Sequence, residues 1–239
     1  YNAVAKLAGG STLPSSSLAA DAAINKAAKL LVDSKGKALV VAGSNDVNVQ
    51  LVVNATNQLL GSYGNTIDIN TPVYTNQSND AAFAELVAEM AAGKVDALIT
   101  YNTNPVYTAP ASLKFEEAYK KVGLKISLAD RADETASLAN YIAPDSHYLE
   151  SWNDYNPKKG HYSLSQPTIR PLFKTRQAQD SLLKWSGSAN DYLAVIQNTW
   201  KTQIHSMCDK ACSVEEFWNK SLHDGVFETA VTVAEAAPK

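Results

Sequence analysis

Residues 80–100 read DAAFAELVAEMAAGKVDALIT, and this stretch decides the fold. Phe83, Leu86, Val87, Met90 and Ala91 recur at the spacing that lines one face of a helix. Asn79-Asp80 supplies an N-terminal cap and Gly93 a stop. VDALIT, residues 95–100, follows and reads as a buried strand of a parallel sheet.

Outward in both directions the alternation repeats. Beyond the loop 102–110, Phe115, Ala118, Tyr119 and Val122 mark a helix closed by Gly123, and LKISLA (124–129) reads as the next strand. Toward the N-terminus, Ser15-Ser16-Ser17 precedes a helical stripe of Ala20, Ile24, Ala27, Ala28 and Leu31, which predicts a cap near Ser17. ALVVAG (38–43) reads as a buried strand, Ser44-Asn45-Asp46 as the cap of a helix ending at Gly61, and NTIDI (65–69) as a further strand. The expectation is an α/β fold: an open, mostly parallel, Rossmann-like sheet with helices on both faces, occupying residues 1–143. Residues 144–187, rich in Pro, Tyr, Trp and Lys without a sustained period, read as an extended irregular segment packed on that core. Helices resume over 188–239, where Leu193, Ile196, Trp200 and Met207 share a face and Ser213 with Glu216 forms a capping box.

Bulk properties narrow the function classes. Of 239 residues 45% are hydrophobic and 19% charged, with a net charge of -3, which is ordinary globular composition without the basic face that nucleic acid requires. No apolar run approaches the length that spans a bilayer. The two cysteines, Cys208 and Cys212, are too few for a disulfide framework or for four cluster ligands. Placed four residues apart on a predicted helix they share a face, with two ordinary thiols as the default and a disulfide open only if the helix ends between them. Tyr1 in place of a start methionine and the trailing AVTVAEAAPK (230–239) read as a piece of a longer protein.

Ligands of an open parallel sheet sit outside the carboxyl ends of its strands, which singles out three loops: 43–46, 101–110 and 130–135. Gly43-Ser44-Asn45-Asp46 lacks the GxGxxG and GxxxxGKS patterns, so an ordinary capped turn is favoured over a phosphate site. Asn102, Asn104 and Pro105 leave the 95–100 strand directly; asparagine offers both donor and acceptor, which suits the edge of a purine, and Asn-Pro also serves plain turns. Asp130, Asp133 and Glu134 surround Arg131, either to bond a ribose or guanine or simply to cap a helix through Asp133. Glu150 and Asp154 form no recognisable acid/base pair, and no HExxH or GxSxG spacing occurs, so no catalytic residue is assigned.

The ordered set GKVDALITYNTNPVYTAP (93–110) and ISLADRADETASLANYIAPDSHYLESW (126–152) resembles the nucleotide-binding α/β domain of the molybdopterin oxidoreductase (DMSO reductase) superfamily. Asn104-Pro105 matches that family's Asn-Pro turn, and Glu134-Thr135-Ala136, Pro144 and Glu150 match its second segment. Gly160, Gln166 and Pro171 correspond to places in its following extended region. The resemblance implies that Asn102, Asn104, Asp130, Glu134 and Thr135 surround the guanosine side of a molybdopterin guanine dinucleotide, or are vestiges of such a site. More narrowly, residues 128–173 are similar to the iron–sulfur B-subunit family of alternative complex III, a quinol:electron-acceptor oxidoreductase. That implies a structural, cofactor-free domain of a respiratory electron-transport subunit, with iron–sulfur clusters in other parts of the parent. Its partners would then be the parent's other domains and other subunits on the periplasmic side of a membrane complex. Ala139-Asn140, Ala143 and His161 depart from the cofactor-binding pattern, and no metal ligand is recognisable.

Overall fold

The computed structural model describes residues 1–15, 17–75, 78–208 and 212–231. They fall into two compact units, Tyr1–Pro72 with Val231, and Val73–Ala230.

The first unit holds α1 (Asn2–Ala8), α2 (Asp21–Asp33) and α3 (Val47–Leu59). Sequence reasoning missed α1, a short helix closed by Gly9, whose backbone is left-handed at φ 79°. Helix α2 starts after the predicted cap: the Asp21 carboxylate accepts from the Leu18 N–H and the Ser17 hydroxyl, while Ser16 lies outside the described residues. Asp46 caps α3 as predicted, accepting from Asn48 N (2.8 Å) and Val49 N (3.1 Å).

The ALVVAG and NTIDI strands do not form ladders. The Val40 N–H and C=O are both taken by the Asn57 side chain of α3, at 2.9 and 2.8 Å. The Ala38 carbonyl accepts from the hydroxyls of Ser62 (2.9 Å) and Thr66 (3.0 Å). Side chains thus satisfy backbone groups that a neighbouring strand would otherwise satisfy. Residues 65–69 close a turn on Ser62, and the pairing there is a single bridge between Tyr63 and Ile67.

The second unit carries the α/β character read from residues 80–129. Helix α4 (Asp80–Ala91), capped by Asn79, leads into β1 (Ala97–Thr100). Then come α5 (Pro105–Thr108), α6 (Phe115–Tyr119), β2 (Leu124–Ser127) and the two-residue β3 (Tyr141–Ile142). The three strands form one parallel sheet in the order β1-β2-β3. Val87, Met90, Phe115, Ala118, Tyr119 and Val122 pack as its core, with Val95 and Leu98 against them. By the register, Ile99, Leu124 and Tyr141 share the opposite face, and all three are exposed.

Residues 144–187 are more regular than their composition predicts. Strands β4 (Asn153–Lys158) and β5 (His161–Ser165) form an antiparallel hairpin around Gly160. After α7 (Ala178–Trp185), α8 (Tyr192–Thr199) and α9 (Val214–Asp224), strand β6 (Val226–Glu228) joins the hairpin in the order β4-β5-β6. Strand β4 escapes sequence reading because it carries Pro157 and Asn156, tolerated on an edge, and its register shifts between Tyr155 and Lys158. One π-helical turn, Trp200–Ile204, extends α8. Ile196, Trp200, Ile204 and Phe217 form the core there, with Trp152 and Trp218 packed against it. The predicted capping box holds: Ser213 Oγ accepts from Glu216 N (3.1 Å), and the Glu216 carboxylate accepts from Ser213 N (2.8 Å). No helix among the described residues is long and apolar enough to cross a membrane.

Candidate functional site

The carboxyl ends of β1, β2 and β3 bring together most of the residues singled out in the sequence. The chain leaves β1 through Tyr101 and Asn102, whose backbone is left-handed at φ 49°, a conformation asparagine accepts more readily than most residues. Pro105 then stands at the first position of α5, where its missing N–H costs nothing.

Asn104 is the hinge of the site. Its side-chain oxygen accepts from the Thr135 hydroxyl (2.7 Å) and the Thr135 N–H (3.2 Å), and its side-chain nitrogen donates to the Glu134 carboxylate (2.6 Å). Thr135 is fully buried, and its hydroxyl accepts in turn from Val106 N at 3.0 Å. The loop after β1 is thereby sewn to the loop after β2. The Asn104 amide holds the Glu134 carboxyl below the usual carboxylate range.

Asp130 leaves β2 exposed and clasps its neighbour Arg131 through two bonds of 3.0 and 2.9 Å, which also hold its pKa below the ordinary value. Asp133 stands before a 3-10 turn at Ala136–Leu138, rather than a helix, and its carboxylate accepts from Ala136 N at 2.7 Å. A groove of about 450 Å³ lies beside this turn, lined by Val106, Glu116, Asp133, Glu134 and Leu138.

Asp145, just past β3, was missed in the sequence. Its carboxylate accepts from Ser146 N (2.8 Å) and from Ala178 N (2.7 Å), so it caps α7 from 33 residues away. The rule that picked the other loops, position just beyond a strand's carboxyl end, would have found it. Burial raises its pKa above the ordinary value, and burial likewise raises that of Tyr101, whose hydroxyl accepts from Gln179 Nε2 at 3.3 Å. A carboxyl whose pKa is raised on folding contributes stability that is complete below the unfolded value and is lost as pH rises through the folded value. Asn in its place retains the acceptor oxygen. Asp145→Asn is therefore expected to leave the urea midpoint unchanged near about pH 3.5 and to raise it at about pH 7; a lower midpoint at the higher pH would contradict this.

Two of the three departures noted in the sequence have local tasks elsewhere. The Asn140 side chain accepts from Lys125 N (2.8 Å), at the entry end of β2, and an aspartate there would make the same bond. His161 lies in the antiparallel sheet, where Nδ1 meets the Glu228 carboxylate at 2.8 Å. Ala143 alone of the three stands at the carboxyl edge, its N–H donating to Ser127 O (2.8 Å).

Glu150 and Asp154 are structural. Glu150 accepts from the N–H groups of His147 (3.1 Å) and Leu172 (3.0 Å), and Asp154 from Trp200 Nε1 (3.1 Å) and the Tyr192 hydroxyl (3.3 Å). In the first unit, residues 43–46 form an ordinary capped turn closed by Asp46. Among the described residues no group of three or more His, Cys, Asp or Glu side chains is placed to hold a metal ion.

The edge therefore carries the carboxylates of Asp130, Glu134 and Asp145, of which Asp130 clasps Arg131, and its best donors and acceptors are already paired. It leaves Asn102 exposed, and Gln179 Oε1 buried without a hydrogen-bond partner in the protein.

No family model matches the chain. It is 32% identical over 115 residues to the molybdopterin-binding-like subunit of menaquinone reductase from Nitratidesulfovibrio vulgaris, covering 46% of this chain and 17% of that protein. It is 37% identical over 83 residues to a tetrathionate reductase subunit from Archaeoglobus fulgidus, covering 34% of this chain and 7% of that one. The chain thus spans under a fifth of the length of the curated relatives it matches. Among solved structures, acetylene hydratase from Pelobacter acetylenicus superposes with a TM-score of 0.48 at 18% identity, over 61% of this chain and 20% of the other.

Proposed function

We propose, on the premise that this chain belongs to the molybdopterin oxidoreductase superfamily, that it is a structural, cofactor-free domain of a respiratory oxidoreductase subunit. The parent would be an iron–sulfur protein of the alternative complex III type, working with other subunits at the periplasmic face of a membrane. The relative named as a molybdopterin-binding-like subunit of menaquinone reductase supports an assembly of this kind.

One observation carries the cofactor-free reading. Asn104, Glu134 and Thr135 bond one another, so the amide and hydroxyl that would read a guanine are committed to joining two loops. The residues present fit a guanosine poorly, because the Asp130 and Glu134 carboxylates are likewise taken, by Arg131 and by Asn104. In this reading the domain binds no guanosine, and electrons travel through centres held by other parts of the parent.

A second reading, a working domain for molybdopterin guanine dinucleotide, draws support from the unpartnered Gln179 Oε1 and the exposed Asn102 at the same edge. Thermal unfolding of this chain with guanosine mono- and diphosphate at up to millimolar concentration separates the two. The cofactor-free reading expects no shift. A saturable rise in Tm, abolished by Asn102→Ala, would overturn it.

A further inference from the structure

The Sγ atoms of Cys208 and Cys212 stand 3.5 Å apart, in contact and unbonded. Sequence reading placed both on one helix. Instead the helical run ends at Met207, and Cys212 directly precedes Ser213, the cap of α9; residues 209–211 between them lie outside the described residues. Both backbones are held from the described side. Cys208 N donates to His205 O (3.0 Å), and His205 Nε2 donates to the Cys212 carbonyl (3.0 Å). His205 is itself packed edge-on against Phe217, with ring centroids 5.3 Å apart. Both cysteines are half-buried against the core of Ile196, Trp200, Ile204 and Phe217.

From this placement we propose that Cys208 and Cys212 form a reversible dithiol site, which closes to a disulfide by exchange with a small-molecule disulfide of the glutathione class. The ring would fasten the end of the π-helical extension of α8 to the start of α9. The two sulfurs must approach from 3.5 Å to a bond length of about 2.05 Å.

The exchange balances in two steps. The Cys208 thiolate attacks one sulfur of oxidised glutathione, forming a mixed disulfide and expelling one glutathione thiolate. Cys212, deprotonated to solvent, then attacks the Cys208 sulfur of that mixed disulfide, forming the intramolecular bond and expelling the second glutathione thiolate. Two protein thiols lose two electrons, one glutathione disulfide gains them, and the two protons end on the released thiols. The same two steps balance with the roles of the two cysteines exchanged.

The test uses the reduced chain, equilibrated in glutathione redox buffer, quenched in acid and weighed intact. The expected product has lost two hydrogens, carries no glutathione and resists maleimide, and its Tm rises by about 5 °C as a short closed ring should give. Dithiothreitol reverses both changes. Cys208→Ser and Cys212→Ser should each retain one glutathione per chain and show no rise. A wild-type chain that keeps two alkylatable thiols, accumulates glutathione adducts or links into dimers would overturn the proposal. The wild-type mass decides the matter even if a serine variant fails to fold.

Discussion

Trp200→Ala is expected to destabilise the second unit by about 3–5 kcal/mol, the largest loss predicted for a single site. Trp200 is 1% exposed, at the start of the π-helical turn. Its ring meets Phe217 at 5.9 Å and Trp218 edge-on at 6.2 Å, so it is the piece through which the α8 extension and α9 share a core. Its Nε1 donates to Asp154 Oδ2 at 3.1 Å, linking that core to the β4–β5 hairpin. Removing it opens a cavity and also takes a donor from Asp154, which is only partly exposed. Trp200→Phe should cost less than the alanine variant, because it keeps most of the volume and loses mainly the hydrogen bond. Urea unfolding of both variants checks this; an alanine cost below about 1 kcal/mol would mean that the core collapses onto the gap.

Thr135→Val should cost about 1–3 kcal/mol, a large effect for so small a change in shape. The variant leaves the Val106 N–H without its acceptor and takes one of two donors from Asn104 Oδ1, both beside a fully buried position. Thr135→Ser keeps the hydroxyl and gives up only a methyl group, so it should lie between wild type and valine. Equal losses in the two variants would show that packing, and not the bridge between the loops, is what Thr135 supplies.

The parts of the fold legible in the sequence are those whose signals are local. Helix α4 announces itself through five apolar residues in phase and through Asn79, and β1 through the short run VDALIT, polar only at Asp96 and Thr100. Asp46 and the Ser213–Glu216 box lie within three residues of the N–H groups they cap, so they too could be read. What could not be read depends on residues far apart in the chain. Helix α7 is capped by Asp145 from 33 residues away, and β6 joins a hairpin formed more than sixty residues earlier. ALVVAG misled for a related reason. Its apolar run is that of a strand, but Asn57 and Ser62 take the backbone groups of a ladder, and nothing in the run itself reveals that.

The candidate site divides along the same line. The loops at 101–110 and 130–135 follow from strand order alone, and the structure brings Asn104, Glu134 and Thr135 into mutual contact. Their commitment to one another was not legible, because it spans about 30 residues. Nor was the weight of the departures: Asn140 and His161 suggested a lost ligand, yet each has a bond to make away from the carboxyl edge.

Whether this domain is kept for structure, with no cofactor of its own, as proposed above, is decided on the natural protein that carries it. Metal analysis of the purified protein, paired with extraction and oxidation of any pterin to its fluorescent form, gives a single stoichiometry. The proposed reading expects no stoichiometric molybdenum and no pterin, with iron from the proposed parent's clusters; one molybdenum and a guanine-dinucleotide pterin per chain would contradict it.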